Sequence, residues 1–234
     1  MKIAKTNNLP LDQFIDFALY DKKNGYYMKK NPFGGNGDFI TAPNISRLFS
    51  EIIAVWVITF WKSIGSPNQF NLLELGAGNG EMIKVIDETL LNFPECYSAC
   101  NFTIYEKSDF LVNQQKKNLN SDKFTWLKDI EKINNEPTIF LANEFFDAIP
   151  IKQFFKKRDG WIERFVNLND SKKAEFTEEK TDIKKIEKDL NFEISRDQSI
   201  IEYSPDTFKY LKIICDVIKK NDGGMLIIDY GYAD

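Results

Sequence analysis

The chain of 234 residues contains no histidine. That absence removes Ser-His-Asp and Cys-His nucleophilic mechanisms and every histidine-based metal site. Acid–base work must then fall to Asp, Glu, Tyr, Lys or Cys. Cysteine is scarce: Cys96, Cys100 and Cys215 have no zinc-ligand spacing, so no metal is expected. Their odd number, without a secretion signal, points to reduced thiols and a cytoplasmic setting. The first residues, Met-Lys-Ile-Ala-Lys-Thr-Asn-Asn, lack the apolar core of a signal peptide. No apolar run reaches the length of a membrane span; the best candidate, Ile52 to Trp61, is too short and follows Arg47 and Glu51. Excess positive charge is missing too, since the net charge is −4, and this argues against a nucleic-acid partner. Repeats and low-complexity tails are absent. What remains, 43% hydrophobic and 28% charged residues, is the composition of a globular chain. The length suits one core-bearing domain with an insertion or small lobe.

The most informative stretch is Phe70-Asn-Leu-Leu-Glu-Leu-Gly-Ala-Gly-Asn-Gly80. A short apolar run reads as a buried strand, and glycines at 76, 78 and 80 let the backbone turn sharply and approach a ligand. Glu81 to Leu91 carries apolar residues at helical spacing, so the unit is strand, glycine loop, helix, the entry to a nucleotide-type site. A dinucleotide fingerprint starting at Gly76 requires glycine at 81, where this chain has Glu81. No Gly-Lys-Ser/Thr follows, which excludes a P-loop. The pattern E-x-G-x-G-x-G resembles the first motif of S-adenosylmethionine (AdoMet)-dependent methyltransferases. A glycine-rich turn of some other α/β domain is the plainer alternative.

Further strands are expected at Phe102–Glu106, Phe124–Leu127, Thr138–Ala142 and Gly224–Asp229, with a polar helix over Ser108–Leu119. Pro94–Asn101 reads as a loop. The alternation implies a mainly parallel, doubly wound sheet with its ligand at the carboxyl ends of the strands. Before it lie an amphipathic helix over Pro10–Tyr20, a Gly/Pro-rich loop over 31–43, and a long helix capped by Asn44 or Ser46 and ending near Ile64. Ile151–Phe155 and Trp161–Leu168 flank Arg158-Asp-Gly160 and predict a β-hairpin. Ser171–Lys188 is charge-dense and reads as a solvated helix or loop, and Pro205–Lys220 as a helix. Three parts are expected: an N-terminal helical extension (1–68), a Rossmann-like core (69–150 and 221–234), and an insertion of hairpin plus helix (151–220).

Several blocks together resemble the MidA family of class I methyltransferases, whose mitochondrial relatives assist assembly of respiratory complex I. They are Ala18-Leu-Tyr-Asp21, Gly25-Tyr-Tyr-Met28, Gly37-Asp-Phe-Ile-Thr-Ala-Pro43, Glu74–Gly80, Ala142-Asn-Glu-Phe-Phe-Asp-Ala-Ile-Pro150, Trp161-Ile-Glu-Arg164, Glu202-Tyr-Ser-Pro205 and Ile228-Asp-Tyr-Gly231. The family usually has Gly-Pro-Gly-Arg-Gly where this chain has Gly76-Ala-Gly-Asn-Gly80, and Glu where it has Asn44. Family members also continue past the Asp-Tyr-Gly block into the last strands of the sheet, so the fifth strand is expected to be an open edge.

The resemblance implies AdoMet as cofactor and a protein arginine acceptor in a complex I subunit, in the cytoplasm or, for a eukaryotic source, the mitochondrial matrix. Glu74 can accept from the cofactor's amino group or orient the loop; a solvated strand-end acid is the alternative. Glu106 can accept both ribose hydroxyls. Gly37, Asp38 and Thr41 belong to a loop that the resemblance places over the cofactor, with Asp38 pairing its ammonium, though a surface turn fits equally. Asn143-Glu-Phe-Phe stands where amine methyltransferases carry Asn-Pro-Pro-Phe/Tyr. Asn143 would accept from the acceptor nitrogen, while Glu144 and Asp147 would orient a guanidinium and take its proton. Alternatively, Glu144 caps a helix and the phenylalanines are core. Tyr26, Tyr27, Trp161 and Glu163 are weaker acceptor-channel candidates. Two other functions compete: a non-catalytic assembly or chaperone-like protein of this fold, and an NAD-binding oxidoreductase, which the glycine spacing disfavours.

Overall fold

A computed structural model describes residues 8–30, 32–34, 37–119, 122–168 and 173–231. Positions 31, 35 and 36 of the expected covering loop, 1–7 of the extension, 171–172 of the charged stretch and 232–234 of the core lie outside them. The elements run β1 (Asn8–Pro10), α1 (Leu11–Tyr20), α2 (Tyr26–Lys29), α3 (Ala42–Ile45), α4 (Arg47–Ser63), β2 (Phe70–Leu75), α5 (Glu81–Leu90), α6 (Pro94–Ala99), β3 (Cys100–Tyr105), α7 (Asp109–Asn118), β4 (Phe124–Leu127) and β5 (Thr138–Asn143). After these come β6 (Lys152–Lys157), β7 (Gly160–Leu168), β8 (Ala174–Thr181), α8 (Ile183–Leu190), β9 (Ile200–Tyr203), α9 (Pro205–Asn221) and β10 (Gly223–Ile228). Among the described residues no helix is long and apolar enough to cross a membrane.

The chain divides into two compact units: Lys22–Ala148 with Lys209–Asp234, and Met1–Asp21 with Ile149–Phe208. The expected helical extension is therefore shared between them. The larger unit is an α/β fold on a parallel sheet of order β10-β5-β2-β3-β4. β2 is central and all six of its residues are buried, as a strand covered on both faces requires. Phe70 and Leu72 share one face and join a core with Ile53, Val57 and Trp61 of α4 and Ile83 and Ile86 of α5. Glu74 follows on the same face, one pleat further along. The sheet places Glu74 beside Ile104 and Leu141, and the ends of β2, β3 and β5 converge at one edge. The segment 94–99 is helical rather than a loop, because Pro94 at its start needs no N–H partner and fits the first helical turn. β10 forms the sheet's edge, and Ile227 on it is half exposed.

The smaller unit is an antiparallel sheet of order β1-β7-β6-β9, with β8 also on β7. β6 and β7 form the expected hairpin, closing with Lys157 opposite Gly160. Two elements differ from expectation. Residues 174–181 form a strand paired with β7 along its whole length, although half of them are charged and most are exposed. Ile200–Tyr203 pairs with β6. Neither carries a strong apolar alternation; backbone pairing to a long neighbour makes them strands. The polar groups here are closed on one another. Lys152 reaches Asp12 at 3.2 Å and Glu163 at 2.7 Å, and buried Glu187 accepts from the Ser195 backbone at 2.8 Å.

Candidate cofactor and acceptor site

The loop after β2 turns on three left-handed glycines, with φ of 65° at Gly76, 55° at Gly78 and 84° at Gly80. Conformation alone disfavours a side chain there. Space does as well: a Cβ on Gly76 would lie 2.8 Å from the Phe145 ring, and one on Gly78 would lie 3.2 Å from Phe33. Side-chain amides hold the loop's carbonyls. Gln115 donates to the Gly78 oxygen at 2.9 Å and Asn118 to the Asn79 oxygen at 3.0 Å. Sequence reasoning misses both, since a polar helix shows no sign of which amides turn inward.

Glu74 is 4% exposed. The backbone N–H of Ile83, in the first turn of α5, faces its carboxyl, while its Oε2 is buried with no partner among the described residues. Burial pushes its pKa up to about 8, with the Ile83 N–H opposing and the nearby Glu106 adding to the rise. Glu106 is also buried, and burial raises its pKa in the same direction. Its two oxygens, unlike those of Glu74, both have partners: the Ser108 N–H at 2.9 Å and the Gln115 amide at 3.3 Å.

The segment before α4 reaches the glycine turn through side chains. Asn79 donates to Asn44 at 2.9 Å, and Asn44 donates to the Thr41 hydroxyl at 2.7 Å. Phe33 stacks with Tyr27 at 6.1 Å as well as facing Gly78. Gly37 donates to the Gly34 carbonyl at 2.8 Å, and a Cβ there would lie 2.3 Å from the Pro32 oxygen. Asp38 is exposed and accepts from both Lys30 and Tyr26, whose hydrogen bonds hold its carboxyl below the usual range. Within the chain, the carboxylate expected to pair a cofactor ammonium is thus already paired.

At the end of β5, Asn143 Oδ1 is buried and has no partner among the described residues. Glu144 takes an uncommon left-handed φ of 47°, donates its N–H to the Ile228 carbonyl at 2.8 Å, and accepts from the N–H of Ala42. Burial raises its pKa, and Asp147 and Asp229 add to the effect. Asp147 accepts from the Tyr230 hydroxyl and donates its own N–H to Asp229 at 3.2 Å. The structure thus gathers Asn143, Glu144 and Asp147 and adds Asp229 and Tyr230. Tyr27 lies near enough for the charge of Asp147, second to burial, to push its hydroxyl up to about 12. Phe145 is core-like, edge-on to Tyr210 at 5.5 Å and Tyr105 at 6.4 Å. Trp161 and Glu163 belong to the antiparallel sheet, where Trp161 packs on Phe154, Ile183 and Ile201 and Glu163 accepts from Lys152.

Residues 52–234 match a family described as "Putative S-adenosyl-L-methionine-dependent methyltransferase". The chain is 30% identical to a Caenorhabditis elegans protein named protein arginine methyltransferase NDUFAF7 homolog, mitochondrial, across 99% of this chain and 60% of that protein. It is 27% identical to the Drosophila melanogaster homologue, across 99% of this chain and 59% of that one. It is 26% identical to human NDUFAF7, across 99% and 58%. The chain thus spans about three fifths of the curated relatives it matches. Its fold is shared with a "likely methyl transferase" from Burkholderia thailandensis solved with S-adenosyl-homocysteine, at a TM-score of 0.78 and 22% identity, over 96% of this chain and 59% of that one. A native crystal structure of a protein from the same organism matches with a TM-score of 0.74, 22% identity, and 97% and 58% coverage.

Proposed function

We infer that this chain, which belongs to the MidA family of S-adenosyl-L-methionine-dependent methyltransferases, binds AdoMet at the glycine turn and transfers its methyl group to a protein arginine. One observation carries the reading. Glu74 Oε2 and Asn143 Oδ1, at the ends of neighbouring parallel strands, are buried acceptors that find no donor among the described residues. Orphaned buried acceptors are costly, so their presence beside a glycine turn fits a ligand that supplies the donors.

The residues present fit AdoMet. Glu74 would accept from the cofactor's donors, Glu106 from its ribose hydroxyls, and the turn of Gly76, Gly78 and Gly80 gives the close backbone approach. Bound AdoMet supplies a methyl group already activated on a sulfonium, so the protein's task is to position the acceptor and manage its proton. Asn143 would accept a hydrogen bond from the acceptor nitrogen and orient it. Asp147 and Asp229 would attract a guanidinium, which stays protonated because its pKa exceeds ~12. Transfer of that methyl would leave the acceptor nitrogen with a proton to shed, and a carboxylate of this chain would take it. Glu144, with its raised pKa, suits that role. Gly37, Asp38 and Thr41 would cover the cofactor. We extend the resemblance to the acceptor, a subunit of respiratory complex I.

Isothermal titration with AdoMet and S-adenosyl-homocysteine tests the cofactor; absence of heat at millimolar ligand would end the reading. Methyl-labelled AdoMet should then leave label in methylarginine after hydrolysis of an acceptor protein. A second reading, a cofactor-binding assembly protein without turnover, is favoured by one feature. The chain's own groups already occupy the candidate acids: on the acceptor side Asp147 by Tyr230 and Glu144 by Ala42, and in the covering loop Asp38 by Lys30. Tight binding with no labelled methylarginine would select it.

A further inference from the structure

Gln115 lies on α7 and is fully buried. Its surroundings admit one orientation of the amide. The Trp126 indole N–H can only donate, so the atom 2.9 Å from it must be the amide oxygen. The NH2 group then faces two acceptors, the Gly78 carbonyl at 2.9 Å and the Glu106 carboxylate at 3.3 Å. Both amide hydrogens have a partner, and so does the oxygen. One helical step along the same face, Asn118 holds the Asn79 carbonyl. The Gln115 side chain also backs Gly80, with its Cγ 3.5 Å from where a Cβ would stand. In a planar trans peptide the C=O and N–H point opposite ways, so fixing the carbonyl of residue 78 fixes the N–H of Asn79.

We propose that Gln115 is a positioning residue of the cofactor site: one amide sets both the backbone of the glycine turn and the orientation of the Glu106 carboxylate. The inference rests on the AdoMet reading above. Two sites that are separate in sequence, the loop after β2 and the acid after β3, are locked in register by a residue of the next helix. Methionine at 115 would keep the packing against Gly80 and lose the amide. Glutamate would keep an acceptor toward Trp126 but turn a second acceptor on the Gly78 carbonyl and Glu106.

The test compares S-adenosyl-homocysteine with its 2′-deoxy analogue by calorimetry, because only the former offers Glu106 both hydroxyls. Wild type should prefer the former by about tenfold, the worth of one hydrogen bond to a charged group. In Gln115→Met that preference should fall to within about twofold, and in Gln115→Glu it should vanish. An unchanged preference in Gln115→Met, with only a lower melting temperature, makes Gln115 a packing residue and overturns the proposal. If Gln115→Met does not fold, Trp126→Phe carries the test: freeing the amide to flip should cut the preference by about threefold, and no change overturns the idea. Folded wild-type protein that binds neither ligand would instead retire the AdoMet reading itself.

Discussion

The two sheets treat buried polar groups differently. In the antiparallel unit, buried Glu187 is closed by Ser195 and Lys184, and Lys152 sits between Asp12 and Glu163. In the parallel unit, β2 and β5 end in acceptors that no described residue satisfies. All four unpartnered buried side-chain atoms among the described residues, on Ser50, Glu74, Asp87 and Asn143, lie in the parallel unit. Paired polar groups define and stabilise a fold, whereas unpaired ones at converging strand ends cost stability unless a ligand completes them. The contrast therefore separates polar groups closed within the fold from polar groups left open at the strand ends.

The sharpest break of this contrast exchanges one acid in each sheet. Glu74→Gln should lower AdoMet affinity by about 10- to 100-fold, the worth of a hydrogen bond to a charged partner. It should raise the melting temperature of the free protein above pH 8, since a buried carboxylate is removed. Glu187→Gln should do the reverse, lowering the melting temperature and leaving affinity unchanged. Calorimetry and thermal melts on the same two variants read both quantities. Equal losses of stability in the two would collapse the distinction.

Acidity should separate the sheets next. The pKa of Glu74 is raised from 4.5 to about 8, so the folded chain keeps a proton that the unfolded chain has lost. Its contribution therefore falls as pH rises between those values. The pKa of Glu187 is lowered to about 2, first by Lys184 and then by Ser195. Its contribution is present above 4.5 and is lost as pH falls through about 2. A ligand donor at Glu74 favours the carboxylate and so expels the proton. AdoMet affinity should climb by up to about tenfold per unit below pH 8 and then level off. Calorimetry in phosphate and Tris should show different heats for wild type and equal heats for Glu74→Gln.

A backbone change tests whether the glycine turn belongs to the same device. Gly76→Ala forces a Cβ into φ 65° and to within 2.8 Å of the Phe145 ring. A cost of ~2 kcal/mol in denaturant unfolding is expected, with AdoMet affinity reduced as well. In the antiparallel unit, Gly160 also has positive φ, at 120°, but nothing lies within 4 Å of its missing Cβ. Gly160→Ala should therefore carry only the conformational cost and leave binding intact.

The parallel sheet could be read from the sequence because its strands are continuous apolar runs that declare themselves locally. Glu74, Glu106 and Asn143 were visible as polar residues closing those runs. β8 and β9 were not, since Ala174–Thr181 is a charged strand made by its neighbour β7 rather than by its own pattern. Gln115 was hidden for a related reason: amides on a polar helix look alike until the indole of Trp126 and the turn of Gly78 select one. Asp229 and Tyr230 stood far along the chain, and only the parallel pairing of β10 with β5 brings them to Asp147.

The smallest effect concerns two of the positions where this chain departs from the residues usual in the family, Asn44 for Glu and Asn79 for Arg. The structure bonds these two side chains to each other at 2.9 Å, and Asn44 passes the link to Thr41. Departures that meet in space are physically coupled. Asn79→Arg alone would set a guanidinium against an amide, and Asn44→Glu alone would give a carboxylate no cation. Each change by itself should weaken AdoMet binding slightly, and together they should recover it through a charged pair. The coupling in a double-mutant cycle should be about 1 kcal/mol. The pair is partly buried, so its strength should decline with salt only modestly. Additive effects would show that the segment before α4 is not held to the glycine turn through this bond. Positive coupling would extend the contrast between the sheets to the cover itself, where a bond between two side chains supports the site's shape without touching the ligand.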